Sequence, residues 1–399
     1  MATKVILHVG SPKTGTSLLQ EMFFAERERL SEQGILYPAE RFDAHFLAAL
    51  DLMDLKWGGL EAQAVGAWDR LAAEVRDWPG TVIISHEILA RATPDQVARA
   101  LASLGGEVHI VLSARDLVRQ IPAEWQENVK HRRVKTYADF LDGIRDPERS
   151  SILGQWFWGV QETPAVLERW GAGVPREQVH LVTVPPPGAP KDQLWQRFAQ
   201  VFGFDPQAFP APGTRANHSL GVAEATAVRR LNEQIATAVP NHHYRALVRE
   251  SLVHQNLSQE RASSRISVPD DVWAWAEQLS RTWVAEIALQ GYDVVGDLDD
   301  LVPQPALPYV DPAASTSEEQ SAVLLRALTA MTVEAARLRD EIELRDAEIG
   351  RLHGELAAVY ATRTYRMKQR LVAAADNSRT AAVGLAAYRR LRGKNSRST

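Results

Sequence analysis

Four short runs of Val, Ile and Leu, at residues 4–9, 81–85, 107–113 and 179–184, set the limits on what this chain can fold into. The runs are apolar at neighbouring positions, so each belongs where both faces of a strand are covered. Helix-periodic stretches at about 15–31, 61–76, 94–104, 116–133 and 163–170 separate them. This alternation predicts an α/β fold, a parallel β-sheet flanked by helices. Ligands in such folds sit beyond the carboxyl ends of the strands. Functional groups are therefore expected just after residues 9, 85, 113 and 184. Further helices are expected over 191–202, 221–237, 242–254 and 269–289, packed around the same sheet, so one domain is predicted over 1–297.

The sequence changes character after that. Residues 298–317 are rich in Pro and Asp and read as a linker. Leu324, Leu328, Met331, Ala335, Leu338, Ile342, Arg345, Ile349, Leu352, Leu356 and Val359 then follow an alternating 4–3 spacing, with charged residues at most other positions. That is a heptad seam with one charged interruption, and it predicts a coiled-coil helix over 318–362. Two readings follow: a homodimer through 324–359, or a single amphipathic helix folded back on the domain. The last segment, 363–399, carries ten Lys/Arg against one acid, Asp376, a net of +9. It reads as a basic tail suited to a membrane surface or another polyanion, or as a solvated tail.

Composition narrows the function. The net charge of −5 argues against a specific nucleic-acid binder. The chain has no cysteine, which excludes disulfides, thiolate metal sites and cysteine nucleophiles. No apolar run approaches the roughly 18–20 residues that span a bilayer. The expected location is the cytoplasm, with peripheral membrane contact through the tail as a further option. His242 and His243 adjoin without a ligand pattern around them, and no metal site is expected.

The most informative segment follows the first run: GSPKTGTS, then the helix-periodic LLQEMFFAERERL. Gly10 and Gly15 have the spacing of a Walker A loop, and the physics is shared. Glycines let the backbone wrap, and the amides at a helix start point at an anion. The following positions differ. A Walker A loop needs Lys and then Ser/Thr after the second glycine, whereas this chain has Thr16 and Ser17 there and its lysine inside the loop at Lys13. Hydroxyls at the helix start can donate to a phosphate, and Lys13 is placed to reach a bridging oxygen or a second charged group.

Residues 8–17, HVGSPKTGTS, resemble the 5′-phosphosulfate loop of the sulfotransferases that use 3′-phosphoadenosine 5′-phosphosulfate (PAPS), most closely their bacterial branch. The resemblance covers about residues 1–290 and implies a P-loop-like fold with PAPS as co-substrate and no metal. Gly10, Ser11, Pro12, Lys13, Thr14, Gly15, Thr16 and Ser17 are then expected to hold the 5′-phosphosulfate. In the family a strand-end arginine and a later serine hold the 3′-phosphate. Arg115, after the third run, matches the arginine, but the serine position is Ala123, with Arg119 and Gln120 near enough to substitute. Asn217 and Ser219, in RANHSLG, resemble a segment that closes over the nucleotide; Ser219 also reads as a plain helix cap.

The catalytic base is expected at Glu87 or His86, after the second run. Glu87 is preferred because several relatives carry a glutamate after this strand, while an imidazole works near neutral pH without tuning. His45 is a weaker expectation for the acceptor pocket, and His8 reads as a packed core histidine. The reaction implied is sulfuryl transfer to a hydroxyl, ahead of an amine, on a glycan, lipid or small metabolite. Two other classes stay open. One is a P-loop nucleotide kinase or phosphotransferase, which Thr16 and the lack of a Walker-B carboxylate disfavour. The other is a catalytically degenerate scaffold built around the coiled coil and tail.

Overall fold

The computed structural model describes residues 2–211, 219–259, 263–305, 308–376 and 383–384. Six strands form one parallel sheet: β1 (Lys4–Gly10), β2 (Ile35–Leu36), β3 (Thr81–Ser85), β4 (Glu107–Ala114), β5 (Val179–Thr183) and β6 (Asp293–Val295). Their order is β2-β3-β1-β4-β5-β6. β1 is central, with Ile6 opposite Ile83 on β3 and His109 on β4. After β1 the chain runs to the edge of the sheet at β2, comes back beside β1 with β3, and then crosses to the other side with β4. The carboxyl end of β1 is therefore the point where a crevice opens in such a sheet.

All four long strands sit where the apolar runs placed them. From Val5 to Gly10 every residue of β1 is buried. β2 and β6 were not anticipated; they are two and three residues long, too short for periodicity to register.

The helices are α1 (Thr16–Ala25), α2 (Ala44–Met53), α3 (Ala67–Asp77), α4 (Pro94–Leu104), α5 (Leu117–Lys130), α6 (Tyr137–Arg145), α7 (Ile152–Gln161), α8 (Thr163–Gly171), α9 (Gln193–Phe202), α10 (Val222–Ile235), the π-helical α11 (Arg245–Leu257) and α12 (Asp270–Ala288). α1 and α9 cover one face of the sheet: Leu19, Phe23, Phe198 and Phe202 pack with Ile6, Ile83 and Val111 in one buried cluster. The helix expected over 61–76 is divided. Gly66 takes a φ of 70°, and the Asp51 carboxylate accepts from the amides of Gly66 and Trp68 at 3.0 Å each, capping α3 from α2.

Two boundaries need correction. The compact first unit runs to Leu328 rather than 297. The 298–317 stretch lies along that unit instead of linking away from it. Asp300 pairs with Arg197 at 2.6 Å and accepts from Thr183 at 2.8 Å. Farther along, Trp273 Nε1 donates to the Gln304 carbonyl, and Thr226 Oγ1 to that of Pro312. Gln304 and Pro312 serve as carbonyl acceptors and Asp300 as an ion-pair partner, roles that composition alone does not distinguish from a linker.

The second unit, 329–399, begins inside one long helix, α13 (Ser317–Ala361), followed by α14 (Arg363–Asp376). The seam residues Ile342, Ile349, Leu352, Leu356 and Val359 are all about half exposed. No helix among the described residues is long and apolar enough to cross a membrane.

Candidate functional site

The turn after β1 is shaped by its glycines. Gly10 has a φ of 124°, and a Cβ there would stand 2.8 Å from the Glu87 carbonyl oxygen. The first loop residue thus lies directly against the backbone of the segment after β3, a closeness that only glycine permits. Gly15, at a φ of 95°, turns the chain into α1. The amides of Leu18 and Leu19 donate to the Gly15 carbonyl, and the N-terminus of α1 follows the carboxyl end of β1, a place that favours an anion.

The loop is braced from beneath. His8 is fully buried within β1; its ring contacts Ser85 Oγ on β3 at 2.8 Å and Ser113 Oγ on β4 at 3.1 Å. Burial pushes His8 down to about 4, so it is neutral, in keeping with a core histidine. Ser113 Oγ also donates to the Gly10 carbonyl at 3.0 Å. The Thr14 hydroxyl turns inward to the Ser11 carbonyl and Ser113 Oγ, both at 2.6 Å. Thr14, expected to offer its hydroxyl to a phosphate, instead holds the turn closed. Thr16 is buried at the start of α1 and Ser17 is exposed.

Lys13 takes a left-handed conformation, φ 64°, and its ammonium pairs with Glu127 Oε2 at 2.5 Å. This partner, on α5, was not anticipated. Glu127 also faces His131 at 3.1 Å, Arg249 at 3.6 Å and Lys130 at 3.8 Å. Burial pushes its carboxyl up, but Lys13, His131 and Lys130 more than offset that and hold it well below the usual carboxylate range.

Arg115 follows β4 as expected. Its Nη2 donates to the Arg119 carbonyl at 3.0 Å, while its Nε is buried with no hydrogen-bond partner. Burial, with Arg119 nearby, lowers it to about 10, still fully charged. Arg119, expected to help with a phosphate, is committed elsewhere: it pairs with Asp116 and donates to the carbonyls of Val184 and Pro185. It ties α5 to the end of β5. Gln120 donates to the Pro12 carbonyl at 2.8 Å and to Gln161 at 2.7 Å, and Gln161 in turn donates to Glu124 at 3.0 Å. Burial pushes the Glu124 carboxyl up to about 7, with Lys13 pulling the other way.

Both base candidates stand just past β3. Glu87 accepts from Gln20 Nε2 at 3.0 Å. Burial raises its carboxyl, but His86, its own amide, Gln20 and Lys13 outweigh that and hold it below the usual range. Burial holds the His86 ring below the usual imidazole range despite Glu87. His86 Nδ1 accepts from the Ile88 amide at 3.3 Å, which leaves the carboxylate the better placed proton acceptor.

His45 lies beneath this edge and is occupied there. It is buried, with Nε2 bonded to the Pro38 carbonyl at 3.0 Å and Nδ1 accepting from the Ser85 amide at 3.2 Å. Nδ1 thus supports the end of β3 and Nε2 the segment after β2, and burial lowers the ring to about 4. Ser219 is exposed just before α10; Asn217 lies outside the described residues. Two surface hollows, of about 570 Å³ by Arg197 and Gly296 and about 550 Å³ by Arg132 and Asn232, include no residue of the loop, Glu87 or Arg115. Among the described residues no group of three or more His, Asp or Glu could hold a metal ion.

Three adjacent strand ends thus present Lys13 in a glycine turn, the Glu87 carboxylate and the Arg115 guanidinium at one edge of a parallel α/β sheet. Comparison with family models, curated proteins and solved structures finds no match to this chain.

Proposed function

We propose that the chain transfers a sulfuryl group from PAPS to a hydroxyl of an acceptor. One observation carries the reading: two buried donors at this edge, Ser11 Oγ in the loop and Arg115 Nε after β4, have no partner among the described residues. A buried donor without a partner costs free energy, and an anion at this edge would satisfy both. The resemblance of residues 8–17 to the phosphosulfate loop makes PAPS the favoured anion.

In this reading the loop amides, Ser11, Thr16 and Ser17 bind the 5′-phosphosulfate. Arg115 takes the 3′-phosphate. Glu87 accepts the acceptor's hydroxyl proton as the new oxygen–sulfur bond forms. Lys13 leaves Glu127 and donates to the bridging oxygen as the old sulfur–oxygen bond breaks, so the leaving bisphosphate carries that electron pair. No metal is assigned a part. The half-exposed seam of α13 supports self-association through 324–359, and the protein is read as cytoplasmic.

Calorimetric titration with adenosine 3′,5′-bisphosphate, with ATP plus Mg²⁺ in parallel, tests the proposal. Saturable bisphosphate binding is expected, weakened at least about tenfold in Lys13→Ala and Arg115→Ala. ATP binding without bisphosphate binding would replace it with a phosphotransferase. Binding of neither would leave a scaffold.

A further inference from the structure

Beside Glu87 runs a chain of aromatic rings that stops short of the core. His86 stacks on Phe46 with centroids 5.0 Å apart. Phe46 meets the edge of Trp57 at 5.7 Å, and Trp57 meets Trp156 at 5.6 Å. The rings of Phe46, Trp57 and Trp156 come from α2, the turn after it and α7, and all remain part-exposed. Three separate segments converge on a wall whose outer face stays wet. Contiguous exposed aromatic surface of this kind marks a place where something else binds.

Polar side chains border the wall. The Arg91 guanidinium lies 4.9 Å over the Trp156 ring. His131 stands 5.9 Å from Trp57. Arg249 donates to His131 Nε2 at 3.1 Å, yet its own Nε is buried without a hydrogen-bond partner. The Glu250 carboxylate stands 3.8 Å from that Nε and the Glu127 carboxylate 3.6 Å from Nη2, both beyond hydrogen-bond reach.

From this geometry we infer that the wall is the acceptor subsite and that the acceptor is an acidic saccharide. It rests on the transfer reading for the role of acceptor, whereas the binding itself depends only on the wall and its cations. A sugar ring has a flat C–H face edged by hydroxyls. That face packs on an indole while the hydroxyls reach the polar rim, the same division into apolar body and polar edge that the wall shows. A simple phenol would gain most from an enclosed apolar pocket, and this wall is open and rimmed by charge. The unsatisfied Arg249 Nε selects an anionic substituent on the sugar, carboxylate or sulfate. A saccharide so seated places a hydroxyl toward Glu87, because His86 at the head of the wall is the residue next to it in the chain.

Calorimetry on the full chain tests this with four probes: a glucuronic-acid-containing disaccharide, an O-sulfated disaccharide, neutral cellobiose and 4-nitrophenol. One or both acidic disaccharides are expected to bind at least about tenfold more tightly than cellobiose. The two acidic probes tell a carboxylate from a sulfate preference. Arg249→Gln should abolish the advantage over cellobiose. Trp57→Ala should weaken every saccharide about tenfold, and Trp57→Phe should recover most of the loss while keeping the fold intact. Equal binding of acidic and neutral disaccharides, binding of 4-nitrophenol alone, or an unaffected Arg249→Gln would overturn the inference. Parallel titration with adenosine 3′,5′-bisphosphate separates the two proposals. Bisphosphate binding without saccharide binding sinks the subsite alone; the reverse sinks the transfer reading and leaves a saccharide-binding wall.

Discussion

Replacing Glu127 by Gln should destabilise the protein and tighten its hold on a nucleotide anion at the same time. The carboxylate faces Lys13, Lys130 and Arg249 as well as the His131 ring, with Lys13 closest at 2.5 Å. The Lys13 and Glu127 side chains keep 32% and 19% of their exposure, so the pair lies between the surface and buried regimes. Exposed pairs contribute about 0.2–1 kcal/mol, and breaking a fully buried one costs about 3–5 kcal/mol. A loss of about 1–2 kcal/mol follows, or roughly 2–4 °C in melting temperature per kcal/mol for a large domain. The amide leaves Lys13 without its ionic partner, so the ammonium no longer has to be withdrawn from a carboxylate to meet an anion. The gain in binding cannot exceed what the pair was contributing, which sets it at about tenfold. Paired thermal melts and titrations with adenosine 3′,5′-bisphosphate read both quantities. A variant that melts lower but binds the bisphosphate no better would refute the idea that Glu127 competes for Lys13.

Stability should respond to pH through three buried groups. His8 and His45 are held near 4 by burial against an ordinary 6.5. Their contribution is complete above about 6.5 and is lost as the pH falls toward 4, by up to about 1.4 kcal/mol per pH unit for each ring. Glu124, raised by burial to about 7, works in the opposite sense: its protonated form favours the folded state, and that advantage disappears as pH rises from about 4.5 to 7. Denaturant melts at pH 5 and pH 8 should therefore show Glu124→Gln gaining more than the parent between the two values, and an identical pH difference in both proteins would contradict the placement of this carboxyl. The seam of α13 predicts a homodimer at micromolar concentration that Ile342→Asp with Leu356→Asp converts to monomer; a monomeric parent in sedimentation would remove the coiled-coil reading.

Sequence and structure agree where local chemistry is strong. The long apolar runs became β1, β3, β4 and β5 because a strand covered on both faces needs Val and Ile at successive positions. Gly10, Lys13, Glu87 and Arg115 were found because strand ends can be counted. The short β2 and β6 left no period to detect, and α2, whose AHFLAALDLM is apolar nearly all round, offered no amphipathic stripe. The partners of the site residues were harder still. Glu127 lies 114 positions beyond Lys13, and Arg249, on α11, meets Glu127 only through the packing of α5 and α11. Glu124 and Glu127, one turn apart on the helix after Arg115, were the one available sign that α5 turns carboxylates toward the loop. His45 and Arg119 misled in the other direction: both residue types suit a ligand, and both are occupied in holding backbone carbonyls.

The glycine at position 10 ties two ligands into one thermodynamic cycle. It rests against the Glu87 backbone too closely for any side chain to intervene, so the turn and the segment bearing the carboxylate cannot shift independently. Whatever displacement an anion on the loop imposes is shared with the proton acceptor, and whatever an acceptor molecule imposes there is returned to the loop. The factor by which the first partner changes the affinity of the second should therefore differ from one, and linkage makes it the same in either order. A factor of one would mean that each edge of the site moves alone.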